Sequence, residues 1–191
     1  MKLINDINRW IFFKYKHVVH GKNLTVKGRI IVAVERGSLI IGDDVIINSG
    51  VKDNYNTIGN EVTTSFATVG GGRIQIGNRV GMSSSCFYAK DSVIIEDDVM
   101  IGGGCMIFDT NFHPISFQSR VIDDQSKVKT APVRICKGAF IGARSIITKG
   151  VTIGERSVVG AGSVVTKSIP ADEVWAGNPA RSLYKICQEK G

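Results

Sequence analysis

Ile135, Ile141, Ile147, Ile153, Val159 and Val165 follow one another at a constant interval of six. An amphipathic helix repeats every 3.6 residues and a half-buried strand every 2, so neither element produces this interval. A chain that turns a corner every six residues does, with one inward aliphatic side chain on each side of the coil.

The same unit is visible upstream as Ile41-Gly42-Asp43-Asp44-Val45, Ile58-Gly59-Asn60-Glu61-Val62, Ile76-Gly77-Asn78-Arg79-Val80 and Ile95-Glu96-Asp97-Asp98-Val99. Successive units lie 17, 18 and 19 residues apart, close to three hexapeptides. A triangular coil with three six-residue sides accounts for both periods. Glycine follows the aliphatic residue at Gly42, Gly59, Gly77, Gly102, Gly142, Gly154 and Gly160, where corners are expected to need unusual backbone angles. A second inward position, four residues after the aliphatic, takes Val80, Val99, Cys105, Ala139, Ser145, Val151, Ser157 and Ser163. Six or seven coils at about 4.8 Å each predict a prism roughly 30 Å tall.

Composition agrees with extended backbone. Ile and Val number 46 against 4 Leu, and β-branched side chains favour strands over helices. The 24 basic and 17 acidic residues give a charge of +7, which suits a partner carrying phosphate or another anion. No basic stretch is interleaved with aromatics, so nucleic acid is not expected. Cys86, Cys105, Cys136 and Cys187 are widely spaced without a CxxC, as in free thiols of a reducing cytosol. No apolar run reaches transmembrane length and no signal pattern opens the chain, so we expect a cytoplasmic protein without membrane insertion.

Residues 1–20 carry Ile4, Ile7, Trp10 and Ile11 at near-helical spacing, and are expected to form a capping helix over the open end of the solenoid; a membrane-surface anchor, from Trp10, Phe12, Phe13 and the nearby lysines, is the alternative. Residues 21–168 are then the prism, and 169–191 a tail with a short helix. Between Ile107 and Ile135 the interval is 28, not a multiple of six, which predicts one excursion loop over 108–134. Long loops in a regular solenoid are usually functional.

That loop opens with Asp109-Thr110-Asn111-Phe112-His113-Pro114. An imidazole titrates near neutrality and can act as a general base, a contribution of about 10²–10⁴-fold. Asp109 or Asn111 could fix its tautomer. A surface histidine in a turn formed by Asp109 and Asn111 fits the residues equally well.

The chain resembles the hexapeptide-repeat acyltransferases, whose fold is an all-β, left-handed parallel β-helix, and within them the maltose/galactoside and polysaccharide O-acetyltransferase-like branch. The resemblance is carried by Asp109–Pro114, by Ile141-Gly142-Ala143-Arg144-Ser145-Ile146-Ile147, by Val158–Lys167 and by Ala176-Gly177-Asn178-Pro179-Ala180-Arg181. Handedness comes from the resemblance alone.

The resemblance implies a homotrimer with active sites between neighbouring prisms, acetyl-CoA as co-substrate and no metal. It implies His113 as general base, and of the two groups that could fix its tautomer Asp109 is the expected catalytic partner. Gly142, Ala143, Gly160 and Ala161 would line the pantetheine arm, while Thr166, Lys167 and Arg181 would meet the nucleotide phosphates. Corner geometry alone would also explain the small residues. Ser84 or Ser85 stands where the branch often has Asn, and with Asn111 is expected at the acceptor. Phe140 stands where a Trp is common.

The expected activity is acetyl transfer to a saccharide hydroxyl, in cell-surface polysaccharide modification. An amine acceptor, as in amino-sugar N-acetylation, and serine O-acetylation are the enzymatic alternatives; a non-catalytic β-helix scaffold is the other. A β-helix carbonic anhydrase would need three histidine ligands, and His17 and His20 lie outside the repeats.

Overall fold

The computed structural model describes residues 18–50, 58–59 and 61–187 of the chain. Three sheets form the faces of a triangular prism. The first face contains Val19–His20, Leu39–Ile41, Arg73–Ile76, Ser92–Ile95, Val133–Ile135 and Thr152–Ile153. The second contains Thr25–Lys27, Ile46–Asn48, Gly81–Ser83, Met100–Ile101, Phe140–Ile141, Val158–Val159, Glu173–Gly177 and Ala180–Lys185. The third contains Ile31–Ala33, Ser65–Thr68, Cys86–Ala89, Met106–Phe108, Ile146–Ile147 and Val164–Val165. The chain passes from face to face in that order, and strands of successive coils pair in parallel.

The interval of six is the step from one face to the next. Ile135, Ile141 and Ile147 point inward from the three faces of one coil, and Ile153, Val159 and Val165 repeat the arrangement above them. All six are fully buried. On the first face the column is Ile41, Ile76, Ile95, Ile135 and Ile153. On the third it is Val32, Phe66, Phe87, Ile107, Ile147 and Val165. Each full burial of such a side chain stabilises by about 1.5–3 kcal/mol.

The corners work differently from the expectation. Gly42, Gly77, Gly102, Gly142, Gly154 and Gly160 do not have positive φ. They are small because the next coil is too close: a Cβ at Gly142 would lie 2.5 Å from the Ala161 amide nitrogen, and one at Gly154 2.4 Å from that of Ala171. The left-handed residue comes two positions later, at Gly104, Arg144, Arg156 and Gly162. The corner between the first and second faces is further laced by side chains. Asp97 accepts the Asn78 N–H at 2.8 Å and Asn78 accepts that of Asp43 at 2.8 Å. The bond from the Asn78 amide holds the Asp97 carboxyl below its ordinary pKa.

Three expectations are corrected. Among the described residues the chain leaves the prism between Asn48 and Ser65 as well as between Phe108 and Val133. Ile58, Gly59, Glu61 and Val62 therefore do not belong to a coil: Ile41 pairs directly with Ile76, and Ile58 is exposed. Among the described residues the tail is not helical but an antiparallel hairpin of Glu173–Gly177 and Ala180–Lys185, extending the second face. Parallel pairing of Val174 with Val158 keeps the incoming segment extended, and Gly177 at φ +104° begins the reversal. The predicted N-terminal helix lies outside the described residues except at its end, where Val19–His20 is already a strand.

Candidate active site

The second excursion leaves the corner between the third and first faces, and its stem is tightly held. Asp109 is fully buried, and its carboxylate accepts the N–H groups of Lys90, at 2.8 and 3.1 Å, and Asp91, at 2.7 Å. Burial raises the Asp109 carboxyl above its ordinary pKa, against the opposing pull of those two amides. Thr110 bridges to Thr130 across the stem, and the Asn111 N–H donates to the Lys129 carbonyl at 3.1 Å. The Ala131 N–H donates to the Asp109 carbonyl at 2.9 Å, closing the loop at its base.

His113 stands just beyond this stem, exposed. Its N–H donates to the Asn111 carbonyl at 2.7 Å, closing a γ-turn centred on Phe112 at φ +61°. Among the described residues its imidazole makes no hydrogen bond. Asp109, the expected partner, is spent on the Lys90 and Asp91 amides and does not reach it. The distal part of the loop carries one short helix, Phe117–Val121, capped by Ser116.

The residues expected to hold acetyl-CoA fall on two corners. Gly142, Ala143, Gly160 and Ala161 stack at the corner between the second and third faces. Among the described residues the N–H groups of Ala143 and Ala161 donate to no protein acceptor. Thr166 and Lys167 are exposed at the corner between the third and first faces, the same edge from which the His113 loop departs. Arg181 lies on the closing hairpin, exposed, with one guanidinium bond to the Ala180 carbonyl at 3.0 Å. Within one chain the third face separates the two groups.

Ser84 and Ser85 are fully buried in the wall rather than presented to an acceptor. Ser84 Oγ accepts the Gly50 N–H at 3.2 Å, while Ser85 Oγ reaches the carbonyls of Ser83 and Gly102 and accepts the Cys105 N–H. They lie at the far edge of the third face from Asn111, so the expected acceptor set does not converge in a single chain.

Two features of the site were not foreseen. The Phe112 ring packs on Tyr88 and Phe108, with centroids 4.8 and 5.4 Å away. The signal was available as aromatics at 108 and 112 flanking the loop entrance. Glu61, on the first excursion, pairs with Arg144 at 3.2 Å, tying that loop to the corner that carries Ala143. Among the described residues no group of His, Cys, Asp and Glu is arranged to hold a metal ion.

A family model described as the hexapeptide repeat of succinyl-transferase matches residues 92–112 and 132–167, the coils on either side of the second excursion. An inferred acetyltransferase of Staphylococcus aureus (strain MRSA252) is 34% identical over 141 residues, 73% of this chain and 69% of that protein. The chain belongs to the hexapeptide-repeat acyltransferases. This acyltransferase is also 35% identical over 107 residues to the galactoside O-acetyltransferase of Escherichia coli (strain K12), which covers 52% of it and about half, 51%, of the E. coli enzyme. Among solved structures, galactoside acetyltransferase in complex with coenzyme A aligns at TM-score 0.59 and 25% identity, over 94% of this chain and 70% of that one. A mutant of AntD, an N-acyltransferase from Bacillus cereus in complex with dTDP and coenzyme A, aligns at TM-score 0.73 and 23% identity, over 94% and 89%. The coil of this acyltransferase is thus the left-handed parallel β-helix.

Proposed function

We propose that this acyltransferase uses acetyl-CoA to acetylate a saccharide hydroxyl, with His113 as the general base. The observation that carries the reading is an exposed imidazole, with no protein partner among the described residues, just beyond the bridged stem of the second excursion. His113 takes the proton from the acceptor hydroxyl as its oxygen attacks the thioester carbonyl. The carbon–sulfur bond breaks, and the departing thiolate recovers that proton from the imidazolium. The free N–H groups of Ala143 and Ala161 suit the amide carbonyls of a pantetheine arm, and Thr166, Lys167 and Arg181 suit its phosphates. An amine acceptor is less favoured, because Asp109, the carboxylate that would accompany it, is committed to Lys90 and Asp91.

We infer a homotrimer as the working form. The base and the Ala143 corner lie at opposite edges of the third face, so a complete site needs the His113 edge of one copy against the Ala143 corner of another. Apolar columns face outward on both faces that meet at that corner. On the second face Met100, Phe140 and Val158 follow one another in one column, with Gly81 between them and Ile46; on the third Met106, Ile146 and Val164 follow one another, with Ser65 and Cys86 between them and Ile31. The four unpaired thiols suit a reducing cytoplasm, and the acetylated product a cell-surface polysaccharide.

Thiol release from acetyl-CoA in the presence of a panel of sugars tests the reading. His113→Ala should lower kcat by about 10²–10⁴-fold. Full turnover by that variant would remove His113 as the base, and release with amines but not sugars would change the acceptor class.

A further inference from the structure

Nothing on the sequence level explains why a bulky aromatic precedes His113. Phe112 sits at φ +61°, a region that favours glycine and asparagine and is rare for large side chains. Such a conformation persists where surrounding structure over-determines it, and these positions gather at functional sites. Here the surroundings are explicit. The Phe112 ring is tilted 56° to Tyr88 and 55° to Phe108, the inclined geometry aromatic pairs favour. Tyr88 and Phe108 are themselves paired across adjacent strands of the third face, so the ring rests on the rigid prism and not on the loop. The Phe112 N–H donates to Thr110 Oγ1 at 3.2 Å, and Thr110 is held by its bridge to Thr130.

We propose that Phe112 is the positioning residue of the active site: its ring, seated on Tyr88 and Phe108, holds the γ-turn that aims His113. The inference rests on the reading of His113 as general base. Orientation of that base then passes through an aromatic anchor and a strained turn, in place of the carboxylate partner that Asp109 was expected to supply. A small misplacement of a catalytic group can cost about 10²-fold in rate, so a ring with no role in proton transfer can still govern kcat.

The test compares Phe112→Ala, Phe112→Gly and Phe112→Tyr in the intact chain by two measurements, thiol release and the ring C–H resonances of His113. With three histidines in the sequence, that resonance is assigned by its loss in His113→Ala. Phe112→Gly satisfies the left-handed backbone while removing the ring, so it reports even if Phe112→Ala fails to fold. Phe112→Gly should lower kcat by about 10–100-fold, leave the acetyl-CoA KM within about twofold, and shift the His113 resonance. Phe112→Tyr should stay near wild type in both. In a His113→Ala background, Phe112→Gly should add no further loss, because the two act as one unit. An unshifted resonance with unchanged kcat in Phe112→Gly overturns the proposal. A shifted resonance with unchanged kcat overturns it through the base reading instead, and His113→Ala would then be active too.

Discussion

A methyl group added at Gly142 would meet the Ala161 nitrogen at 2.5 Å, whereas one added at Gly162 meets nothing within 4 Å but must accept φ +71°. The two glycines thus fail for different reasons. Gly142→Ala should destabilise by about 1–3 kcal/mol by overpacking, and Gly162→Ala by about 1–2 kcal/mol through its backbone. Gly162→Asn should recover much of the second loss and Gly142→Asn none of the first, as read from urea midpoints. Asp109 makes a pH-dependent prediction. Its pKa is raised in the folded state by burial, so its contribution to stability is full below the ordinary carboxylate range and is lost as pH rises through the raised value. An asparagine side chain in its place would not titrate. The stability of wild type relative to Asp109→Asn should therefore fall as pH rises out of the ordinary carboxylate range towards the raised value; a gap that widened with pH would show that the Lys90 and Asp91 amides outweigh desolvation.

At the level of the element, the repeat is both guide and decoy. Ile135 to Val165 could be read directly, because a strict interval forces each side chain onto the same inward column. Ile58 and Gly59 imitate that unit at a convincing spacing, yet the ladder joins Ile41 to Ile76 over their heads. Only strand pairing distinguishes the two cases, and pairing is not written in local spacing. Accordingly Ile76→Ala should cost about 2–5 kcal/mol, while Ile58→Ala should stay within about 0.5 kcal/mol; equal losses would return the first excursion to the prism. The closing hairpin was hidden for a related reason, since Val174 and Trp175 become a strand by pairing with Val158 and Val159. In the candidate site, His113 was singled out by the resemblance, since its chemistry alone fitted a histidine in a surface turn equally well. Its supports were not legible: Asp109 holds Lys90 and Asp91, and Phe112 rests on Tyr88, all from the preceding coil.

For the whole molecule, the outward apolar residues of the second and third faces give the proposed trimer its test. Met100 is 61% exposed and paired in register with Phe140, which is also exposed. Met100→Glu with Phe140→Glu should convert a trimer to monomer in sedimentation, leave the far-UV spectrum unchanged, and abolish acyl transfer, because no single chain brings His113 to the Ala143 corner. A fully active monomer would sink the shared-site arrangement.

Near-identical turns stacked along one axis invite a slipped alignment in which a whole turn is skipped. Phe66 and Phe87 lie flat against each other at 5.1 Å, one turn apart, inside a column otherwise built of Val and Ile. Skipping a turn would set Phe66 against Ile107 and part the rings, so the doublet disfavours that slipped alignment.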